Sequence, residues 1–172
     1  REKEFLKTYK PWGVILFSRN IKTIKQTKIL TNQIKKLFKD TKYPILIDQE
    51  GGRVNRLKKI LNLDTLTQDF FGKLYVKDRK KFNHHYKDFI KQTSLLLNSI
   101  GANINTLPVL DLRSKGSSNI IGSRSISSDP RIVSKIGDIC INSFHRNKIG
   151  TVIKHIPGHG LAKVDSHKLT PL

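Results

Sequence analysis

Short apolar runs with no polar face alternate along this chain with longer segments of helical period, and that alternation restricts it to an α/β fold with a parallel sheet covered on both sides. The run GVILF (13–17) is followed, between about 22 and 38, by Ile24, Leu30, Ile34, Leu37 and Phe38 at helical spacing. PILID (44–48) is a second strand signal. Over 79–100, Phe82, Tyr86, Phe89, Ile90, Thr93, Leu96, Leu97 and Ile100 share one helical face, and Gly101 stands where a C-terminal cap belongs. ANINTLPVLD (102–111) predicts a third strand. Asp129-Pro130 supplies an N-cap and first-turn proline for a helix bearing Ile132, Val133, Ile136, Ile139, Cys140 and Phe144, which Gly150 ends. TVIKHI (151–156) begins a fourth strand.

Connections from helix to strand are short, whereas those after the second and third strands run to roughly twenty residues, the length of functional loops. Elaboration at one end of the sheet is what parallel α/β folds show where they keep their chemistry, at the carboxyl ends of the strands. A dinucleotide-binding unit needs a GxGxxG turn after its first strand, and SRNI stands there instead. A barrel is therefore favoured. A full (β/α)8 barrel takes about 250 residues, so the 172 residues here predict the N-terminal part of a TIM barrel, incomplete in this chain and leaving an unpaired sheet edge. Residues 1–172 read as one partial domain. Beginning at Arg1 and stopping just after a crowded loop, the chain reads as a piece of something longer.

The formal net charge of +20 raises nucleic acid as a partner, because phosphate neutralisation needs clustered lysine and arginine. Here the basic residues are mostly lysine, spread through KTIKQTKIL, QIKKLF and KDRKKF at positions on the wet faces of helices. That pattern is a solvated surface, and neither nucleic acid nor membrane is expected as a partner; a basic nucleic-acid-binding module is kept as the alternative. The single cysteine, Cys140, excludes an internal disulfide and reads as core. No apolar run reaches the ~18 residues of a membrane span.

Chemistry concentrates in IKHIPGHGLAKVDSH (153–167), where Lys154, His155, His159, Asp165 and His167 crowd around a Pro157-Gly158 break. Three histidines and an aspartate suffice as a metal ligand set. However, Pro157 and Gly158 deny the helix that would bring His155 and His159 to one face, so no metal or cofactor is expected, and a metal-dependent hydrolase built on a non-helical site is kept as a second alternative. Asp165 and His167 fit an acid and base dyad better: in extended backbone residues two apart face the same side, so the carboxylate can hold the ring and tune it for proton transfer. His159 reads as packing in the turn. In IDQEGGRVNR (47–56), Asp48 and Glu50 read equally as ion-pair partners of nearby arginines or as strand-end acceptors for sugar hydroxyls, and Gly51-Gly52 permits a sharp turn. Arg124 sits in the Gly- and Ser-rich loop IIGSRSISSDP (120–130), which is not a nucleophile elbow.

Taken together, GVILFSRN, LIDQEGGRVNRL, PVLDL, IGSRSISSDP and KHIPGHGLAKVDSH resemble, in the same order, the bacterial β-N-acetylhexosaminidases of glycoside hydrolase family three. The resemblance implies a TIM-barrel glycosidase that removes terminal, non-reducing β-linked N-acetylglucosamine from muropeptides and related peptidoglycan fragments. It would act in cytoplasmic cell-wall recycling, by a retaining two-step route. By position in the motifs, Asp48, Arg56, Arg124, Lys154 and His155 would bind the sugar, and His167 would be the general acid and base with Asp165 as its partner. The family's aspartate nucleophile belongs to a later strand beyond position 172, so the fragment alone is expected to be inactive. Neither Asp48 nor Asp111 occupies the nucleophile's motif.

Overall fold

Four parallel strands form one sheet in the order in which the chain makes them. The structure, a computed structural model, describes residues 2–115, 119–165 and 170. After a short helix α1 (Glu2–Tyr9), strand β1 (Val14–Leu16) leads to helix α2 (Ile24–Phe38) and strand β2 (Ile45–Ile47). A two-stranded hairpin follows, β3 (Gln49–Gly51) with β4 (Val54–Asn55), then helices α3 (Gln68–Lys77) and α4 (Arg79–Ile100). Strand β5 (Ile104–Asn105), helix α5 (Pro130–Arg146) and strand β6 (Gly150–Thr151) complete the series.

The sheet order is β1-β2-β5-β6, all parallel, and the hairpin stands apart from it. Each new strand is added on the same side as the one before. A doubly wound sheet would reverse direction at a switch point, so sequential addition is the winding of a barrel wall. Among the described residues β1 and β6 each have a single sheet neighbour.

The helices form where the pattern places them because their ends are chemically marked. The side chains of Thr23, Thr67, Asp78 and Asp129 accept hydrogen bonds from first-turn amides of α2, α3, α4 and α5. Gly101 closes α4 at φ 79°, left-handed backbone that a Cβ disfavours. The apolar stripe of α4 buries Phe82, Tyr86, Phe89, Ile90, Thr93, Leu97 and Ile100. Its aromatic rings meet Phe71 and Tyr75 of α3 edge-on or tilted. Cys140 is fully buried on α5, and burial pushes its thiol up to about 12, so it is core.

Three expectations need correction. First, α5 ends at Arg146, not at Gly150, which already belongs to β6. Second, regular pairing of the last two strands covers only two residues of each, although the sequence predicts strands over 102–111 and 151–156. Pro108 has no N–H to give to the ladder, and contact resumes only as an isolated bridge between Val109 and Lys154. Third, Ile24 is exposed, and α2 packs inward through Thr27, Thr31 and Ile34. Thr31 is buried because its hydroxyl donates to the Ile100 carbonyl at 2.7 Å, joining α2 to the end of α4.

Candidate active site

The carboxyl ends of the strands are fixed by buried side-chain amides. Asn105 at the end of β5 accepts from the Gln49 N–H and donates to the Gln49 carbonyl, both at 3.0 Å, so one side chain acts as a strand partner. The Gln49 amide in turn donates to Asn55 at 2.9 Å and accepts from the Leu57 N–H at 3.1 Å. Gln68, from α3, donates to the Glu50 carbonyl at 2.7 Å. All four amide residues are buried, and a satisfied buried network of this kind holds one backbone geometry. Gly51 and Gly52, with φ of 83° and 56°, make the turn between β3 and β4. A Cβ on Gly51 would lie 2.2 Å from the Leu66 carbonyl oxygen, so glycine is required for conformation and space alike. Asp48 and Glu50, two residues apart, are thereby held on the same rim.

Asp48 receives a short hydrogen bond from the Thr106 hydroxyl, the Lys154 ammonium at 3.2 Å and the Arg56 guanidinium at 3.3 Å. Glu50 lies beneath, its side chain 1 % exposed. It grips Arg124 through two parallel bonds of 2.9 and 3.0 Å and takes Lys154 at 2.5 Å. The Lys154 ammonium also reaches the Thr106 hydroxyl at 2.9 Å. Arg124 Nη2 sits 3.4 Å from Nε2 of His155, whose Nδ1 is 2.5 Å from Asp111. The loop bearing Arg124 is braced by Arg53, which donates to the carbonyls of Asn119, Ile120 and Ile121.

Electrostatics suit this rim to an uncharged polyol. Burial raises the Asp48 carboxyl, but the Thr106 hydrogen bond, then Lys154 and Arg56, outweigh it and hold the group below the ordinary carboxylate value. Burial likewise lowers Arg124, and its two bonds to Glu50 reverse that and carry it above its usual value. Lys154, Arg124 and Arg56 each already have a carboxylate partner. A phosphate would have to compete with those carboxylates, whereas hydroxyl groups can use the remaining donor and acceptor positions.

The structure thus brings together five residues singled out from the sequence, Asp48, Arg56, Arg124, Lys154 and His155. Asp165 is half-buried farther along the loop that starts at His155, and its expected partner His167 lies outside the described residues. His159 does more than pack: its backbone N–H donates to Asp111 at 2.5 Å. Among the described residues no three His, Cys, Asp or Glu side chains group as a metal site. Sequence reasoning missed Thr106 and the depth of Glu50. Strand periodicity carried the signal for Glu50, since residues 48 and 50 share a face, but its partner Arg124 is 74 residues away. The sequence predicts ion pairing with nearby arginines, which holds for Asp48 with Arg56 and not for Glu50.

The profile of the Glycosyl hydrolase family 3 N terminal domain matches residues 1–172. A beta-hexosaminidase of Hydrogenovibrio crunogenus is 37 % identical over 169 residues, which are 96 % of this chain and 46 % of that protein. Beta-hexosaminidase A of Pseudoalteromonas piscicida is 32 % identical, over 98 % of this chain and 28 % of its own length. The chain therefore spans less than half the length of these curated relatives. Among solved structures, NagZ from Neisseria gonorrhoeae in complex with N-trifluoroacetyl-D-glucosamine superposes with a TM-score of 0.87 at 31 % identity, covering 99 % of this chain and 50 % of that one.

Proposed function

The chain belongs to glycosyl hydrolase family 3, as the match of that family's N-terminal domain along its whole length shows, and on that premise we propose that it supplies the sugar-binding half of a β-N-acetylhexosaminidase. The observation that carries the reading is the rim at the strand ends, where Asp48, Arg124 and the adjacent Lys154 and His155 converge from three separate segments with their charges mutually paired. The substrate is a terminal, non-reducing β-linked N-acetylglucosamine, and the relatives named beta-hexosaminidase support that choice.

In the whole protein, Asp48 accepts hydrogen bonds from sugar hydroxyls, and Arg56, Arg124 and Lys154 donate to sugar oxygens. Ionised Asp48 is suited to this because its partners keep it charged. Asp165 and His167 form the acid and base pair: the imidazolium protonates the departing oxygen, and the neutral ring then activates water. The nucleophile is an aspartate supplied from outside these residues. Glu50 and Asp111 have side chains 1 % and 0 % exposed, and each is engaged by its own partners. Asp48 has both oxygens bonded. None of the three offers an open oxygen to an anomeric carbon. Residues 1–172 are therefore the N-terminal part of the catalytic barrel and do not turn over alone.

Among the described residues no helix is long and apolar enough to cross a membrane. Peptidoglycan fragments are the proposed natural substrates, in cytoplasmic cell-wall recycling. The test is hydrolysis of a chromogenic N-acetyl-β-glucosaminide by the full-length protein and by the 172-residue chain. Turnover by the former and none above background by the latter is expected. Turnover by the short chain would place the nucleophile inside it, and no turnover by either would remove the glycosidase reading.

A further inference from the structure

Asp111 lies at the end of the segment that follows β5, its side chain wholly buried, and it takes every donor that the start of the 155–165 loop directs at it. Oδ2 accepts from the His155 ring Nδ1 at 2.5 Å and from the His155 backbone N–H at 3.2 Å. Oδ1 accepts from the His159 N–H at 2.5 Å. Just beyond, Gly160 is pressed against the backbone of Leu112, where a Cβ would lie 2.0 Å from the carbonyl oxygen. The root of the loop is thus wrapped around the Asp111-Leu112 backbone, ahead of the stretch that carries Asp165.

These contacts also decide where the His155 proton sits. An ionised carboxylate only accepts, so Nδ1 must carry hydrogen. On the far side of the ring Nε2 is 3.4 Å from Arg124 Nη2, and a guanidinium only donates. A hydrogen on Nε2 would oppose donor to donor. Arg124 cannot easily turn away, since Glu50 holds it through two bonds.

We propose that Asp111 is a positioning residue that locks His155 as the Nδ1–H tautomer, so that Nε2 and Arg124 together form an acceptor-and-donor pair selective for a hydroxyl group. A hydroxyl can donate to Nε2 and accept from Arg124 at once. An ether or carbonyl oxygen has no hydrogen to give, and an ammonium group has no lone pair for Arg124. The role deepens the sugar-binding reading and rests on it for the identity of the ligand, not for the tautomer.

The test combines a spectroscopic and a kinetic readout on the full-length protein. Nitrogen NMR of 15N-histidine-labelled protein, with His155 assigned by its loss in His155→Gln, is expected to show hydrogen on Nδ1 and a bare Nε2. Asp111→Leu keeps much of the volume but offers no acceptor at all, so Nδ1 loses its partner and the proton should move to Nε2. KM for the chromogenic N-acetyl-β-glucosaminide should rise roughly 10- to 100-fold, the scale of a lost hydrogen bond to a charged group, with a smaller change in kcat. Hydrogen on Nε2 in the unaltered protein overturns the proposal whether or not the variant folds. A proton that stays on Nδ1 in a folded Asp111→Leu protein also overturns it. If the tautomer shifts as expected and KM is unchanged, the Asp111 lock stands and the hydroxyl-binding assignment falls.

Discussion

Glu50→Ala is expected to destabilise the fold by about 3–5 kcal/mol, the usual cost of removing one partner from a buried ion pair. Its carboxylate is 1 % exposed and is the contact that Arg124 and Lys154 share. Without it, two largely buried cations face each other across a cavity, and Asp48 alone is left to answer Lys154. Neither cation can withdraw into water without disturbing the rim: Lys154 is tied to Thr106, and Arg124 is anchored by the Ile120 carbonyl and faces His155. A domain has only about 5–15 kcal/mol of stability in total, so the loss should be plain in the denaturant midpoint. Replacing the Asp129 cap, whose carboxylate accepts at the surface from the backbone and side chain of Arg131, should cost only about 1 kcal/mol by comparison. A Glu50→Ala loss no greater than that of the cap would mean that the buried cluster does not exist as described.

His167→Ala in the full-length protein should lower kcat by roughly 10²- to 10⁴-fold, the range for loss of a general acid and base. That corresponds to about 3–5 kcal/mol on the barrier. KM should change little, since Asp48, Arg124, Lys154 and His155 are the groups proposed to hold the sugar. The loss should also depend on the leaving group. A nitrophenolate departs without a proton, so formation of the glycosyl-enzyme should suffer less with a nitrophenyl substrate than with a sugar leaving group, whose alkoxide is a far stronger base. Values of kcat/KM and kcat on both substrates measure this, and unchanged values on the substrate with the sugar leaving group dismiss His167 from the reaction.

Much of the architecture was legible because it follows from periodicity. The α4 stripe from Phe82 to Ile100, its Gly101 stop and the Asp129-Pro130 start of α5 all appear where side-chain spacing and cap chemistry put them. Strand ends were harder, because the ladder between β5 and β6 is cut short at Pro108 by a missing donor rather than by any change in hydropathy. The inward face of α2 was misjudged through Ile24. Hydropathy assigns an isoleucine to the core, whereas here Thr27 and Thr31 are buried and satisfied by carbonyls of α2 and of Ile100.

The residues that meet on the rim were legible, and their supports were not. Asp48, Arg124, Lys154 and His155 sit in short strings with glycine, serine or proline, which mark strand-end loops. Asn105, Thr106 and Gln68 sit in strings that mark nothing, and they matter through partners such as Gln49 and Asp48, 56 and 58 residues distant from Asn105 and Thr106. Asp111 shows the same limit: PVLDL announces a strand end, but only the fold reveals that its carboxylate faces inward to the root of the loop from His155 to His159.

The central claim is that the paired-charge rim of Asp48, Arg124, Lys154 and His155 is where the terminal sugar sits. A structure of the full-length protein with N-acetylglucosamine bound measures this directly. The account predicts hydroxyls of the sugar within hydrogen-bond distance of Asp48 and Lys154, one of them shared between His155 Nε2 and Arg124, and Glu50 still covered beneath. A sugar bound elsewhere, with that rim untouched, would contradict it.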